Sequence, residues 1–150
     1  TALFRKSIDL DPANAARAYN YLGYMWVERG ENLDEAGQLI RRALEMEPGN
    51  GAYIDSLGWL YYKQGKYQEA FTELLRAAEA LPEPDAVVFE HIGDAADKLG
   101  KRTEAVLYWQ KALALDADNK KLAEKLDKVA EKVVQQPKPP VTITPQTPAQ

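Results

Sequence analysis

His91, Asp94 and Asp97 offer the nearest approach to a catalytic constellation in this chain. Aspartates three residues apart share a helix face, and two carboxylates can divide the work of general acid and base where their surroundings separate the pKa values. The neighbouring sequence supplies neither a pocket nor a buried partner to separate them, so both are expected on a solvated acidic face. With one histidine and no cysteine, neither a zinc site of ordinary spacing nor a Cys–His nucleophile can be assembled. GxGxxG, Walker-type and HExxH patterns do not occur. The residues therefore point to no catalytic group, no metal, no cofactor and no enzyme.

What remains is recognition chemistry, and the helix period sorts the residues for it. Ile54, Leu57, Gly58 and Tyr61 recur at i, i+3, i+4 and i+7, which predicts a helix with that stripe inward. Ala52, Asp55, Ser56, Trp59, Tyr62 and Lys63 then fall on its opposite face. Tyr67, Ala70, Phe71, Leu74, Ala77, Ala78 and Leu81 keep the same period in a second helix, separated from the first by Gly65 and Lys66. Gly58 and Ala70 let the two backbones approach, and Leu57, Tyr61, Leu74 and Leu81 fill the remaining space. A hairpin of this kind cannot bury both of its faces alone, so it needs neighbours.

Composition sets outer bounds. A net charge of -4 and a pI of about 5.1, with no basic cluster interleaved with aromatics, argue against a nucleic-acid partner. No apolar run approaches the ~18–20 residues that span a bilayer. The absence of cysteine fits a bacterial cytoplasm and a periplasm alike.

The order Leu57-Gly58, Tyr61, Gly65, Tyr67, Glu69-Ala70, Leu74, Ala77 and Pro82 resembles the tetratricopeptide repeat (TPR), a helix-turn-helix unit of solenoid proteins. It recurs: Leu22-Gly23, Leu57-Gly58 and Ile92-Gly93 are each 35 residues apart, as are Gly30, Gly65 and Gly100. The resemblance covers residues 1–134 and implies an all-α, right-handed helix-turn-helix solenoid with a C-terminal capping helix and a disordered tail. Residues 1–12 read as the second helix of a truncated repeat, with Phe4, Ser7 and Ile8 in apolar positions, or else as an isolated capping helix. Complete repeats are expected at 14–48, 49–82 and 85–117, the first capped by Asn14. Ala117 and Arg102, standing where earlier copies have Pro82 and Tyr67, mark the end of the array. Residues 119–134 form a capping helix with Leu122, Leu126, Val129 and Val133 on one face. Residues 135–150 hold five of the nine prolines. They read as a polyproline or disordered tail, either a spacer or proline-rich ligand, or a solvated end, with Val141 to Thr144 able to add to a strand edge.

In the resembled family, first helices line a concave groove that binds extended peptides. By register the groove set is Arg17, Asn20, Tyr21, Tyr24, Val27 and Glu28, then Asp55, Trp59, Tyr62 and Lys63, then Val87, Glu90, His91, Asp94, Asp97 and Lys98. Tyr24, Trp59 and Tyr62 stand out as anchors. Trp59 could instead pack against the next first helix, and His91 reads as a surface or inter-helix residue rather than a ligand. Trp26, Tyr61 and Trp109 fall on inward stripes. Asp55, Glu90 and Asp94 stand where carboxylate-clamping relatives carry Lys, Arg and Asn, so they would repel an acidic tail. The expected partner is a protein or peptide segment, apolar with a basic end placed against Glu90, Asp94 and Asp97. The expected function is that of a protein-interaction scaffold or adaptor. The alternative is a structural module for self-association without a separate ligand. Wording such as YLGYMWVERGENLDEA is similar to the C-terminal repeats of bacterial multi-repeat proteins, some of them outer-membrane lipoprotein adaptors. That similarity implies a periplasmic or outer-membrane location before a cytoplasmic one.

Overall fold

The structure, a computed structural model, describes residues 11–135. The expectations for Phe4, Ser7 and Ile8, for the proline-rich residues 136–150 including Val141 to Thr144, and for the side chain of Val133 lie outside it. Among the described residues seven helices follow one another: α1 Pro12–Arg29, α2 Leu33–Met46, α3 Gly51–Lys63, α4 Tyr67–Ala80, α5 Ala86–Lys98, α6 Arg102–Leu115 and α7 Lys120–Gln135. Among the described residues there is no strand, and no helix is long and apolar enough to cross a membrane.

The turn chemistry explains where each helix begins and ends. Gly30, Gly65 and Gly100 follow the first helices with φ of 65°, 79° and 75°, a left-handed conformation that costs glycine nothing and ends the helix sharply. Asn50, Asp85 and Asn119 cap α3, α5 and α7 through side-chain oxygens 3.2, 3.0 and 3.1 Å from the amides of Tyr53, Val88 and Leu122. Helix α1 departs from expectation, because its cap is Asp11 rather than Asn14. The Asp11 carboxylate accepts from the Ala13 amide at 3.1 Å and from the Asn14 side chain at 2.8 Å, with Pro12 at the first helical position. An Asp-Pro pair so suited to opening a helix adds a turn to α1 that α3 and α5 lack. One more residue separates Gly30 from α2 than separates Gly65 from α4 or Gly100 from α6, and Asn32 takes it up with a φ of 48° that asparagine tolerates better than most side chains.

Each hairpin closes on a glycine. A Cβ at Gly58 would stand 2.7 Å from Cγ of Leu74, and Gly23 and Gly93 lie in the same way under Ile40 and Trp109. The hairpins α1–α2, α3–α4 and α5–α6 then stack, with α3 touching α1, α2, α4 and α5, and α7 packed on α6. Ile40, Leu60, Leu74, Ile92 and Leu122 are fully enclosed, each contributing roughly 1.5–3 kcal/mol by removal from water. Leu44 belongs to all three apolar clusters, so the core runs unbroken through the stack. The result is an all-α helical solenoid.

Candidate functional site: the face of the first helices

Helices α1, α3 and α5 run side by side, so positions 35 residues apart form rows across them. The outer rows are open: Arg17, Ala52 and Val87 on one side, Glu28, Lys63 and Lys98 on the other. Between these rows the expected exposure needs correcting. Asp55, Trp59 and His91 are only 7%, 8% and 6% exposed. Helix α3 is covered by α2 and α4 and by the first helices α1 and α5 on its two sides, which leaves it a narrow solvated strip. Oδ1 of Asp55 lies 3.0 Å from Nδ1 of His91; a carboxylate can only accept, so that nitrogen carries the proton. Trp59 stacks on Tyr62 at 4.4 Å and on His91 at 3.8 Å, both nearly parallel, with the Lys63 ammonium 5.5 Å from its ring. Trp59 thus takes the inter-helix packing role, and His91 is an inter-helix residue. Val27, expected in the groove, is fully buried against Ala36, Ile40 and Trp59. It stands four residues after Gly23, on the inward stripe.

A second correction concerns Asp94. Its side chain is 12% exposed, with Oδ1 2.9 Å from the Lys125 ammonium of α7, and it accepts a hydrogen bond from the Trp109 indole at 3.2 Å. Lys125 also reaches Glu90 at 3.1 Å. Burial pushes the Asp94 carboxyl above its ordinary range although Lys125 pulls the other way. Burial pulls Lys125 down, but Asp94 and Glu90 outweigh it and hold the ammonium above its usual value. The acidic end of the third repeat is therefore largely neutralised from within, and of the expected solvated pair only Asp97 is exposed. Lys125 follows Glu90 by 35 residues, much as His91 follows Asp55 by 36. Each pair ties one first-helix position to the next helix in the row.

One step earlier the pair that corresponds to Asp55 and His91 is Asn20 and Ser56, and no charge pair forms. Ser56 donates to the Ala52 carbonyl of its own helix at 3.2 Å, and the carboxamide oxygen of Asn20 has no partner among the described residues. Here the face opens into a cleft of about 210 Å³ lined by Asn20, Tyr24, Ala52, Asp55, Ser56, Asp85 and Val87, with Leu81 and Val88. Tyr24 is half-buried there, and its phenol is held far above its ordinary value by burial, by the Glu28 carboxylate, and by Asp55 and Asp85. Tyr62 is pushed up to about 12, by burial first and then by Asp94, Tyr67 and Asp97. Sequence reasoning gives Asp85 only as a helix cap, which it is, and misses both Asp85 and Lys125 as residues of this face. Lys125 was findable, since it repeats the position of His91 one unit later; Asp85 sits in a connection, outside the helix period.

Three tetratricopeptide repeat models match the chain, over residues 2–51, 51–80 and 86–119. The chain belongs to the tetratricopeptide repeat family. Two relatives come from Pseudomonas aeruginosa. A TPR repeat-containing protein, PA4667, is 38% identical over 84 residues, which is 56% of this TPR chain and 14% of the relative. The type IV pilus assembly protein PilF is 28% identical over 120 residues, 79% of this chain and 47% of its own length. This chain thus spans less than half of either relative. Among solved structures, the first TPR of Spaghetti (RPAP3) bound to the HSP90 peptide SRMEEVD superposes with a TM-score of 0.73 at 19% identity, covering 81% of this chain and 98% of that one. MamA superposes at 0.71 with 17% identity, covering 87% and 75%.

Proposed function

We propose that this TPR chain is a protein-interaction module that holds an extended segment of a partner protein across α1, α3 and α5. The observation that carries the reading is the cleft on that face, where Asn20, Asp55 and Ser56 meet the side chains of Tyr24 and Val87 between open outer rows. A protein of the same fold is bound to a peptide; peptide binding here is the corresponding proposal. Within the groove set, Arg17, Asn20, Tyr24, Lys63 and Asp97 are available for contact. Asp55, Trp59, Tyr62 and His91 form a rigid floor, and Glu90 and Asp94 are engaged by Lys125. The segment favoured is apolar with a basic end, directed at the cleft rather than at the third repeat. Asp55 and Asp85 would repel an acidic segment. No reaction is assigned to the chain; among the described residues no group of three or more His, Asp or Glu could hold a metal ion.

Photo-crosslinking in cells that produce the protein tests this. A crosslinking residue at Arg17 or Lys63 should trap a different protein, whereas one at Leu107, exposed on α6, should not. Adducts only with further copies of this chain would favour self-association, and partner adducts from Leu107 alone would overturn the groove reading.

A further inference from the structure

We propose that the cleft between α1, α3 and the start of α5 receives a basic side chain, lysine or arginine, of the partner segment. The inference rests on the reading of the first-helix face as a peptide-binding side, and it names the chemistry of one position there. At about 210 Å³ the cleft falls below the ~300–1,000 Å³ of sites that enclose a small-molecule ligand, so it suits one side chain rather than a cofactor. Two carboxylates, Asp55 and Asp85, line it, and none of its lining residues is cationic. Asp55 is nine-tenths buried, and its bond to His91 engages only Oδ1; the cap that Asp85 makes to Val88 likewise engages only Oδ1. An ionised carboxylate has about four acceptor sites, so both retain capacity.

Asn20 adds a buried carboxamide oxygen without a partner among the described residues, and the carboxamide can turn about its terminal bond to face a ligand. The side chains of Tyr24, Ala52 and Val87 offer apolar surface for the methylene stem that long basic residues bury behind their charged head. The same molecule shows the chemistry once already: the Lys125 ammonium sits between Glu90 and Asp94, 5.9 Å from the Trp109 ring. Asn20, Asp55 and Glu90 occupy one row, so the cleft offers a cation one carboxylate of that row, Asp55, with Asp85 of the α4–α5 connection as the second.

Nitrogen-edited NMR on the whole chain, titrated with Nα-acetyl-lysine methylamide, its arginine counterpart and the neutral norleucine derivative, tests the assignment. Both cationic probes should give saturable shifts at Asn20, Tyr24, Ser56 and Val88, with little effect from norleucine. Asp85→Asn removes a charge while keeping a good helix cap, and should weaken the cationic probes by about fivefold. Asn20→Ala should weaken them as well. Equal shifts with norleucine, or unchanged binding in Asp85→Asn, would overturn the assignment. A peptide that still perturbs α1, α3 and α5 while neither cationic probe moves the cleft would sink the basic position and leave the groove reading standing.

Discussion

Asp94 and Asp97 occupy one face of α5 a single turn apart, yet one is tied to Lys125 and Trp109 and the other is exposed. Replacing them separately should therefore give opposite results in thermal melts. Asp94→Lys sets a second ammonium beside Lys125 and strands the indole nitrogen of Trp109, a loss of more than ~2 kcal/mol. Asp97→Lys should stay within ~0.5 kcal/mol of the parent. Equal melting points for the two would contradict the ion pair. Gly58 is a second decisive residue: even alanine there would push a Cβ against Leu74, costing roughly 1–3 kcal/mol. A denaturant midpoint unchanged by Gly58→Ala would mean that the α3–α4 packing is looser than described. Tyr62 contributes to an alkaline limit, alongside the more strongly raised Tyr24. Unfolded it ionises near pH ~10, and folded it is pushed up to about 12. A raised folded value means that stability tied to the protonated phenol is whole below pH ~10 and is lost as the pH climbs towards about 12. Tyr62→Phe should shift the alkaline unfolding midpoint, followed by circular dichroism, to higher pH.

At the scale of helices, the stripe Ile54, Leu57, Gly58 and Tyr61 was legible because a helix period is local, and the glycines under Ile40, Leu74 and Trp109 were legible because they repeat. The partners of the opposite face were not. Whether Asp55 meets solvent or His91, 36 residues on, depends on how far one hairpin turns relative to the next, and no local period encodes that angle. The same ignorance placed Asp94 in water, because Lys125 comes from a helix read only as a polar-backed cap. Asn14 is a residue type suited to a cap, but the Asp11-Pro12 pair is the stronger signal and opens the helix earlier. Helix α7 supplies the test at this scale. Leu122 and Val129 bury its apolar side, and Lys125 reaches across to α5. Lys125→Glu should lower hydrogen-exchange protection throughout α7 by about tenfold, with α1 and α2 unchanged, since a half-buried carboxylate cluster that loses its cation and gains a third carboxylate costs over ~1 kcal/mol. Protection lost evenly along the chain would instead mean that the stack opens as one unit.

For the whole molecule, stacking forms two unlike surfaces from similar repeats. Second helices present charged residues and scattered apolar ones such as Leu107, while the first helices form a seam-bound floor with an acidic cleft between Tyr24, Asp55 and Asp85. The proposed partner segment lies across that floor. Ala52 is exposed, lines the cleft and carries no side chain beyond Cβ, so Ala52→Arg can fill the cleft with a guanidinium without disturbing the core. The most direct measurement compares partner capture by Ala52→Arg and by Leu107→Arg, alongside their melting temperatures. Ala52→Arg should reduce capture by at least about tenfold, the loss of one central contact, while Leu107→Arg should not, and both should melt within about 2 °C of the parent. Full capture by a folded Ala52→Arg, or its loss in Leu107→Arg alone, would contradict that placement.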